Sequence, residues 1–373
     1  MKLLHMADVH LGMEPDKGKP WGDGRARQLW DAFTQAVEAA EEHQVDLVLI
    51  AGDLFHRQPL KRELKEVNEI LSRLTRAKVV IMAGNHDYLS RNSFYRSFSW
   101  NENIFFLKSE NLGAIEFTEL STAVYGFSYE HREIRDRLSN IISADMIPVS
   151  DGTAWRAKKG ETCGCIDRKP GNEYHILLAH GGDENHVPFT VGELEQMDFH
   201  YIALGHIHKP GQLKENRIVM AGSLQPLDHT ERGPRGYWIT ELKRGAANTV
   251  FYPIRMCEYR GIELELERDT TNYRLLQQAR DALEGLSDYQ LAVLTLTGMY
   301  DPETPPDVER LSELPGVVDV ELLCRPGYDF EKLKQEYRDQ IVGRYIRELE
   351  GMPQDEAVRR ALYLGVDALL GNT

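Results

Sequence analysis

Hydrophobic positions in the first half of the chain alternate between two periods. Leu3, Leu4 and Met6 form a short apolar stretch that predicts a strand. Between Arg25 and Glu42 the apolar residues Leu29, Phe33, Ala36, Val37 and Ala40 recur at helical spacing. "VDLVLIAGDLF" (Val45–Phe55) is a continuous apolar run closing on Gly-Asp, as expected of a strand covered on both faces. Leu60–Thr75 returns to the helical period, and "KVVIMAGNHDY" (Lys78–Tyr88) is a second buried run ending in a polar loop. A β-α-β-α-β order of this kind predicts an α/β sheet with loops gathered at the C-terminal ends of its strands. Further short strands are expected at Ile104–Leu107, Ala123–Phe127, Tyr174–His180, Tyr201–His208 and Arg217–Ser223, and a hairpin at Gly236–Ile254. The fold class is therefore α/β, with a two-layered sheet core flanked by helices over residues 1–255.

The pattern changes at Met256. Strand, helix (Asn272–Leu286), strand, short helix (Pro306–Leu314) and strand make a smaller α/β unit over 256–327. The remainder, 328–373, is expected to be a helical tail. Phe330, Leu333, Tyr337, Ile341, Tyr345 and Leu349 recur every three or four residues. Gly351-Met352-Pro353 then breaks the helix, and a second runs from Gln354 to Leu370. That stripe suits a partner's groove or coiled coil, or a closed packing against the chain's own elements. The stretch Ser150–Asn172 holds Cys163 and Cys165, a C-x-C without a matching Cys or His pair, and reads as a solvated loop.

A chain of 373 residues exceeds one small core and implies two or three domains. A net charge of −15 argues against a generic basic nucleic-acid coat protein but leaves room for a local site whose charge is offset by cations. Four cysteines show no disulfide framework, and neither a leader nor an apolar run of spanning length is evident. A cytoplasmic protein is expected.

Candidate chemistry lies in five segments that carry metal-ligand residue types: Asp8-Val9-His10, Gly52-Asp53, Gly84-Asn85-His86-Asp87, His180, and Gly205-His206-Ile207-His208. Most follow apolar strands, so a parallel-type sheet would collect them along one edge. The series D-x-H, G-D, G-N-H-D, lone His, G-H-x-H resembles that of the calcineurin-like metallophosphoesterases, over roughly residues 1–225. The resemblance implies a dinuclear centre built from hard oxygen and nitrogen ligands. Asp8, His10 and His208 would hold the first metal, Asn85, His180 and His206 the second, and Asp53 would bridge them.

Protein phosphatases of this fold typically carry Arg before Gly-Asn-His, where this chain has Ala83. "GDLFH", "DVHLG", "GNHD", "ALGHIH" and "GSLQP" look instead like the SbcD-type DNA repair nuclease branch, which also carries a smaller capping domain. By that resemblance His86 and His56 are functional. His86 would donate a proton, His56 would assist or orient substrate, and Asp87 would hold His86 by a hydrogen bond. The implied reaction is phosphodiester hydrolysis with two divalent ions, Mn²⁺ by expectation and Fe²⁺ or Zn²⁺ as alternatives. The implied partners are DNA, an SbcC-like ATPase and a second copy of the chain. The competing reading is a small-molecule or cyclic-nucleotide phosphodiesterase on the same site.

Overall fold

A computed structural model describes residues 1–148, 155–157, 173–244, 246–353 and 355–371. Cys163 and Cys165, and with them most of the loop Ser150–Asn172, lie outside the described residues. The chain divides into two units, Met1–Tyr259 and Arg260–Thr373.

The first unit opens β1 (Lys2–Met6), α1 (Arg25–Glu42), β2 (Leu47–Ala51), α2 (Lys61–Ser72), β3 (Lys78–Met82), β4 (Ile104–Phe106). It continues β5 (Gly113–Phe117), β6 (Thr122–Gly126), α3 (Leu138–Asp145), β7 (Met146–Pro148), β8 (Trp155–Ala157), β9 (Tyr174–His180), α4 (Val191–Gln196), β10 (Tyr201–Gly205). It closes with β11 (Gly211–Lys214), β12 (Ile218–Met220), β13 (Gly236–Lys243) and β14 (Ala246–Pro253). Two six-stranded sheets result, ordered β14-β13-β1-β2-β3-β4 and β11-β12-β10-β9-β6-β5.

Strand periodicity explains the layering. Leu3, Leu47, Leu49, Val80 and Met82 point to one face and pack with Ile176, Leu178, Tyr201 and Ala203 of the other sheet. The alternate residues Leu4, Val48, Ile50, Val79 and Ile81 point the other way, against Leu29, Phe33 and Ala36 of α1 and Leu64 and Val67 of α2. Both faces are therefore dry, which is why these strands read as unbroken apolar runs. Each fully buried Leu or Phe contributes about 1.5–3 kcal/mol.

Register places the loops. β1, β2 and β3 are parallel, with Met6 opposite Ile50 and Ala51 opposite Met82. β9 and β10 are also parallel, with His180 opposite Gly205. The segments following β1, β2 and β3 thus leave one sheet at a common edge, and those ending β9 and β10 leave the other.

The second unit carries β15 (Glu258–Leu266), α5 (Asn272–Leu283), β16 (Gln290–Tyr300), α6 (Val308–Ser312), β17 (Val317–Leu322), β18 (Arg325–Pro326), α7 (Phe330–Glu336), α8 (Ile341–Glu350) and α9 (Glu356–Leu370). Its sheet, β15-β16-β17 with β18 beside β16, buries Leu294, Leu296 and Val317 against Leu275, Ala279 and Leu311 of α5 and α6.

The tail differs from its expected form. The helix anticipated from Asp329 to Leu349 is two helices, because Tyr337 leaves the helical region (φ −102°, ψ 32°) and Gln340 is extended. Gly343 lies so close to this turn that a Cβ there would meet the Tyr337 carbonyl oxygen at 2.4 Å. The turn points the stripe inward. Phe330, Leu333, Tyr337, Tyr345 and Leu349 pack on Tyr328, Val342, Ile346, Leu362 and Val366, so α9 closes the face offered above to a partner. Ile341, placed in the stripe by its spacing, is 67% exposed. Among the described residues no helix is long and apolar enough to cross a membrane.

Candidate metal centre

The loops after β1 and β2 are zipped together by backbone hydrogen bonds. Asp8 N–H donates to Gly52 O (3.2 Å), His10 N–H to Asp53 O (3.1 Å), Leu11 N–H to Leu54 O (3.0 Å) and His56 N–H to Leu11 O (3.1 Å). This pairing carries Asp8, His10 and Asp53 in the left-handed region at φ 49°, 51° and 48°, and His206 stands at φ 95°. Such backbone costs about 1–3 kcal/mol per residue, and it persists only where surrounding structure over-determines it. Gly84 is required by close approach, since a Cβ there would lie 2.3 Å from Asp53 Oδ1.

The side chains converge. Asp8 accepts from His206 N–H at 2.9 Å, and Asp53 accepts from His86 N–H at 2.9 Å. Asp53 Oδ2 stands 3.3 Å from His180 Nε2 and 3.9 Å from His10 Nε2. His10 Nε2 faces His208 Nε2 at 3.1 Å. Asn85 Oδ1 is 2.9 Å from His180 Nε2 and 3.2 Å from His206 Nδ1. Within this cluster Asp8, His10 and His208 form one group of mutually close donor atoms, and Asp8, Asp53 and His180 another. All seven residues singled out as ligands by sequence are thus drawn into one site. Asp8, His10, Asp53 and His180 are almost fully buried.

Burial and close packing set the charges of the site. Burial pushes the Asp8 carboxyl up to about 6 against the pull of His180 and His208. Burial also opposes ionisation of Asp53, yet His180 and His10 hold its carboxyl far below the usual range. Burial would lower His180, but Asp53 and Asp8 raise it to about 9. Burial pulls His206 down to about 4 and His10 well below its ordinary value. Histidines are thus the cationic neighbours of the two buried carboxylates, and His206 and His10 are held neutral with lone pairs available. Oxygen and imidazole donors of this kind fit divalent transition ions.

Beside the cluster lies a cavity of about 690 Å³ lined in part by His56, His86, Asn85, Tyr88 and Arg132. His56 and His86 stack with ring centroids 4.8 Å apart. His56 Nδ1 is 3.2 Å from His10 Nδ1, so His56 contacts the buried cluster directly. His86 Nδ1 donates to the His56 carbonyl at 3.1 Å, leaving Nε2 unengaged by that bond. This corrects the role expected of Asp87. Its carboxylate instead accepts from Gly84 N–H (2.8 Å), Phe55 N–H (3.1 Å) and Tyr95 O–H (2.8 Å), and burial raises it to about 7. Arg57 is bidentate to Glu63 at 3.0 and 2.7 Å, which ties the His56 loop to the start of α2.

Sequence reasoning missed Asp183, His186 and Glu231. Asp183 Oδ2 is 2.6 Å from His206 Nε2, and His186 Nδ1 is 2.9 Å from the same carboxylate. Glu231 Oε1 is 2.5 Å from His208 Nδ1. "HGGDENH" held a readable signal for the first two, whereas Glu231 sits in an irregular loop with none.

Among solved structures the chain is similar to a dimetal phosphatase from Danio rerio. The match has 14% identity and a TM-score of 0.41, and covers 68% of this chain and 99% of that one. The family model for calcineurin-like phosphoesterases matches residues 1–210, more than half of the chain. The clustered Asp and His residues and that match point together to a dinuclear divalent-metal site. The chain belongs to the calcineurin-like phosphoesterases and is a metal-dependent hydrolase.

Proposed function

We propose that this chain is a two-metal phosphodiesterase that cleaves DNA. In this reading Asp8, His10 and His208 would hold one ion and Asn85, His180 and His206 the other, with Asp53 shared between them. When bound, the ions neutralise phosphate charge and acidify a water. Mn²⁺ suits the mixed oxygen and imidazole set, with Fe²⁺ or Zn²⁺ as alternatives. His86 lines the cavity, and its Nε2, left over from the Nδ1 bond to the His56 carbonyl, would donate to the departing oxygen. His56 holds His10 and shapes the cavity beside His86.

The observation that carries a diester over a monoester is what faces the phosphate. The position before Gly84-Asn85-His86 is the fully buried Ala83, and of the two guanidiniums on the cavity lining Arg57 is engaged by Glu63, which leaves Arg132. Bidentate guanidinium pairing is the strong mode of binding a terminal phosphate dianion, and a cavity lined by His56 and His86 with one guanidinium left over suits the singly charged diester better. DNA as the diester rests on the SbcD-type resemblance, as do an SbcC-like ATPase and a homodimer; the cytoplasmic setting rests on composition, and the division into catalytic (1–255), capping (256–327) and tail (328–373) domains on the change of pattern at Met256. With the tail stripe covered, the ATPase contact is assigned to other surface. The chain's net charge of −15 supports the alternative of a small-molecule or cyclic-nucleotide phosphodiesterase.

The test is turnover by the Mn²⁺-loaded chain of linear and plasmid DNA, bis-p-nitrophenyl phosphate, cyclic nucleotides and p-nitrophenyl phosphate, with chelator controls. DNA and the aryl diester should be cleaved and the monoester spared. Rapid monoester or cyclic-nucleotide turnover with intact DNA would reject the proposal.

A further inference from the structure

An imidazole ligates through one nitrogen, and the partner of the other nitrogen decides which one is free and how the ring is aimed. His180 has a backbone carbonyl in that outer position, Ala51 O at 2.8 Å. His206 and His208 are different. They are two residues apart and face the cluster through opposite nitrogens, Nδ1 toward Asn85 for His206 and Nε2 toward His10 for His208. Their outward nitrogens meet carboxylates from two separate loops. Asp183, in the loop after β9, takes His206 Nε2, and Glu231, in the loop after β12, takes His208 Nδ1.

Both carboxylates are held in place. Asp183 Oδ1 accepts from the backbone N–H groups of Asn185 (2.8 Å) and His186 (3.0 Å), and His186 Nδ1 braces it from the side. Glu231 Oε2 accepts from Leu227 N–H at 3.1 Å and lies 3.9 Å from Nε of Arg235, a side chain only 4% exposed. Fixed acceptors leave each ring one orientation.

We infer that Asp183 and Glu231 are positioning residues, one for each metal: Asp183 aims His206 at the second ion and Glu231 aims His208 at the first. This rests on the ligand assignment under Proposed function. A selective prediction follows. Losing either carboxylate weakens one ion and spares the other, by about 10–100-fold in affinity.

The experiment titrates the metal-free full chain with Mn²⁺ by calorimetry and reads each site's occupancy at limiting Mn²⁺ by anomalous scattering. Wild type should take two ions. E231Q should empty the site at His208 and D183N the site at His206, with the metal-free fold unchanged by circular dichroism. Adding E231Q to H208A should weaken binding no further, because Glu231 acts through His208. If E231Q does not fold, E231D, which withdraws the oxygen by one methylene, should give the same selective loss in milder form. Equal weakening of both sites, or unchanged affinity in both variants, overturns the inference alone. A wild-type count of three would make Asp183, His186 and His206 a cation site and overturn the positioning role of Asp183. A wild-type count below two overturns the ligand assignment, and this inference with it.

Discussion

Gly84→Ala tests whether the site depends on backbone approach as closely as its geometry implies. An added Cβ would stand 2.3 Å from Asp53 Oδ1, 2.7 Å from Asp53 N and 2.8 Å from Asp53 Cγ, where ordinary contact begins near 3.4 Å. The overlap is about 1 Å, and because backbone is among the atoms met, no side-chain rotation relieves it. Overpacking costs about 1–3 kcal/mol. Displacing Asp53 also strips the partly buried His86 N–H of its 2.9 Å acceptor, and that unpaired donor costs about 0.5–1.5 kcal/mol more. The expected loss is about 1.5–4.5 kcal/mol of stability, together with both metals. Gly192→Ala is the control. Gly192 sits in α4 with nothing within 4 Å of its built Cβ, so alanine there should be neutral or stabilise by up to about 1 kcal/mol. Urea unfolding of the metal-free proteins and a metal count after dialysis give both numbers. A Gly84→Ala protein within about 0.5 kcal/mol of wild type that still holds two ions would refute the reasoning, since the cost is built from the cited overpacking and unpaired-donor terms.

Three further outcomes are expected. Asp53→Asn removes the charge shared by His180 at 3.3 Å and His10 at 3.9 Å, so both ions should be lost on dialysis; a variant that keeps two ions and full activity contradicts the bridging role. His86→Ala should keep both ions while kcat falls about 10²–10⁴-fold, and loss of an ion at unchanged kcat would make His86 a ligand instead. His180, raised against burial to about 9 by Asp53 and Asp8, and His208, raised against burial by Glu231 and Asp8, must shed their protons to ligate, so metal uptake at pH 7 should release at least about one proton per chain, diminishing as pH rises past 9. A pH-stat trace that is flat at pH 7 would exclude this.

The parts of the site that were readable are those tied to strand ends. Strands dry on both faces appear as unbroken apolar runs, so the polar residues following Met6, Ala51 and Met82 announce a shared edge. What could not be read depends on which nitrogen or oxygen meets which. Asp87 resembles a partner for its neighbour His86, but the tight loop turns its carboxylate onto the N–H groups of Gly84 and Phe55. His56 comes within reach of His10 only because the two loops are zipped from Asp8 to His56. Glu231 meets His208 across an irregular loop with no period. In the tail, spacing counted Ile341 with Phe330 and Leu333, and a turn at Tyr337 removed it.

Backbone conformation is the least readable feature of all, and it bears most on how the site works. Asp8, His10, Asp53 and His206 all hold positive φ, a conformation uncommon in any non-glycine residue although Asp and His tolerate it better than most. At about 1–3 kcal/mol each, that strain would relax if the loops were free. The four backbone bonds linking the β1 and β2 loops, and the bonds from His206 N–H to Asp8 and from His86 N–H to Asp53, oppose that relaxation. One backbone network thus holds both the loop conformation and the convergence of the side chains, so a substitution that breaks the network should scatter the cluster even where every carboxylate and imidazole is kept.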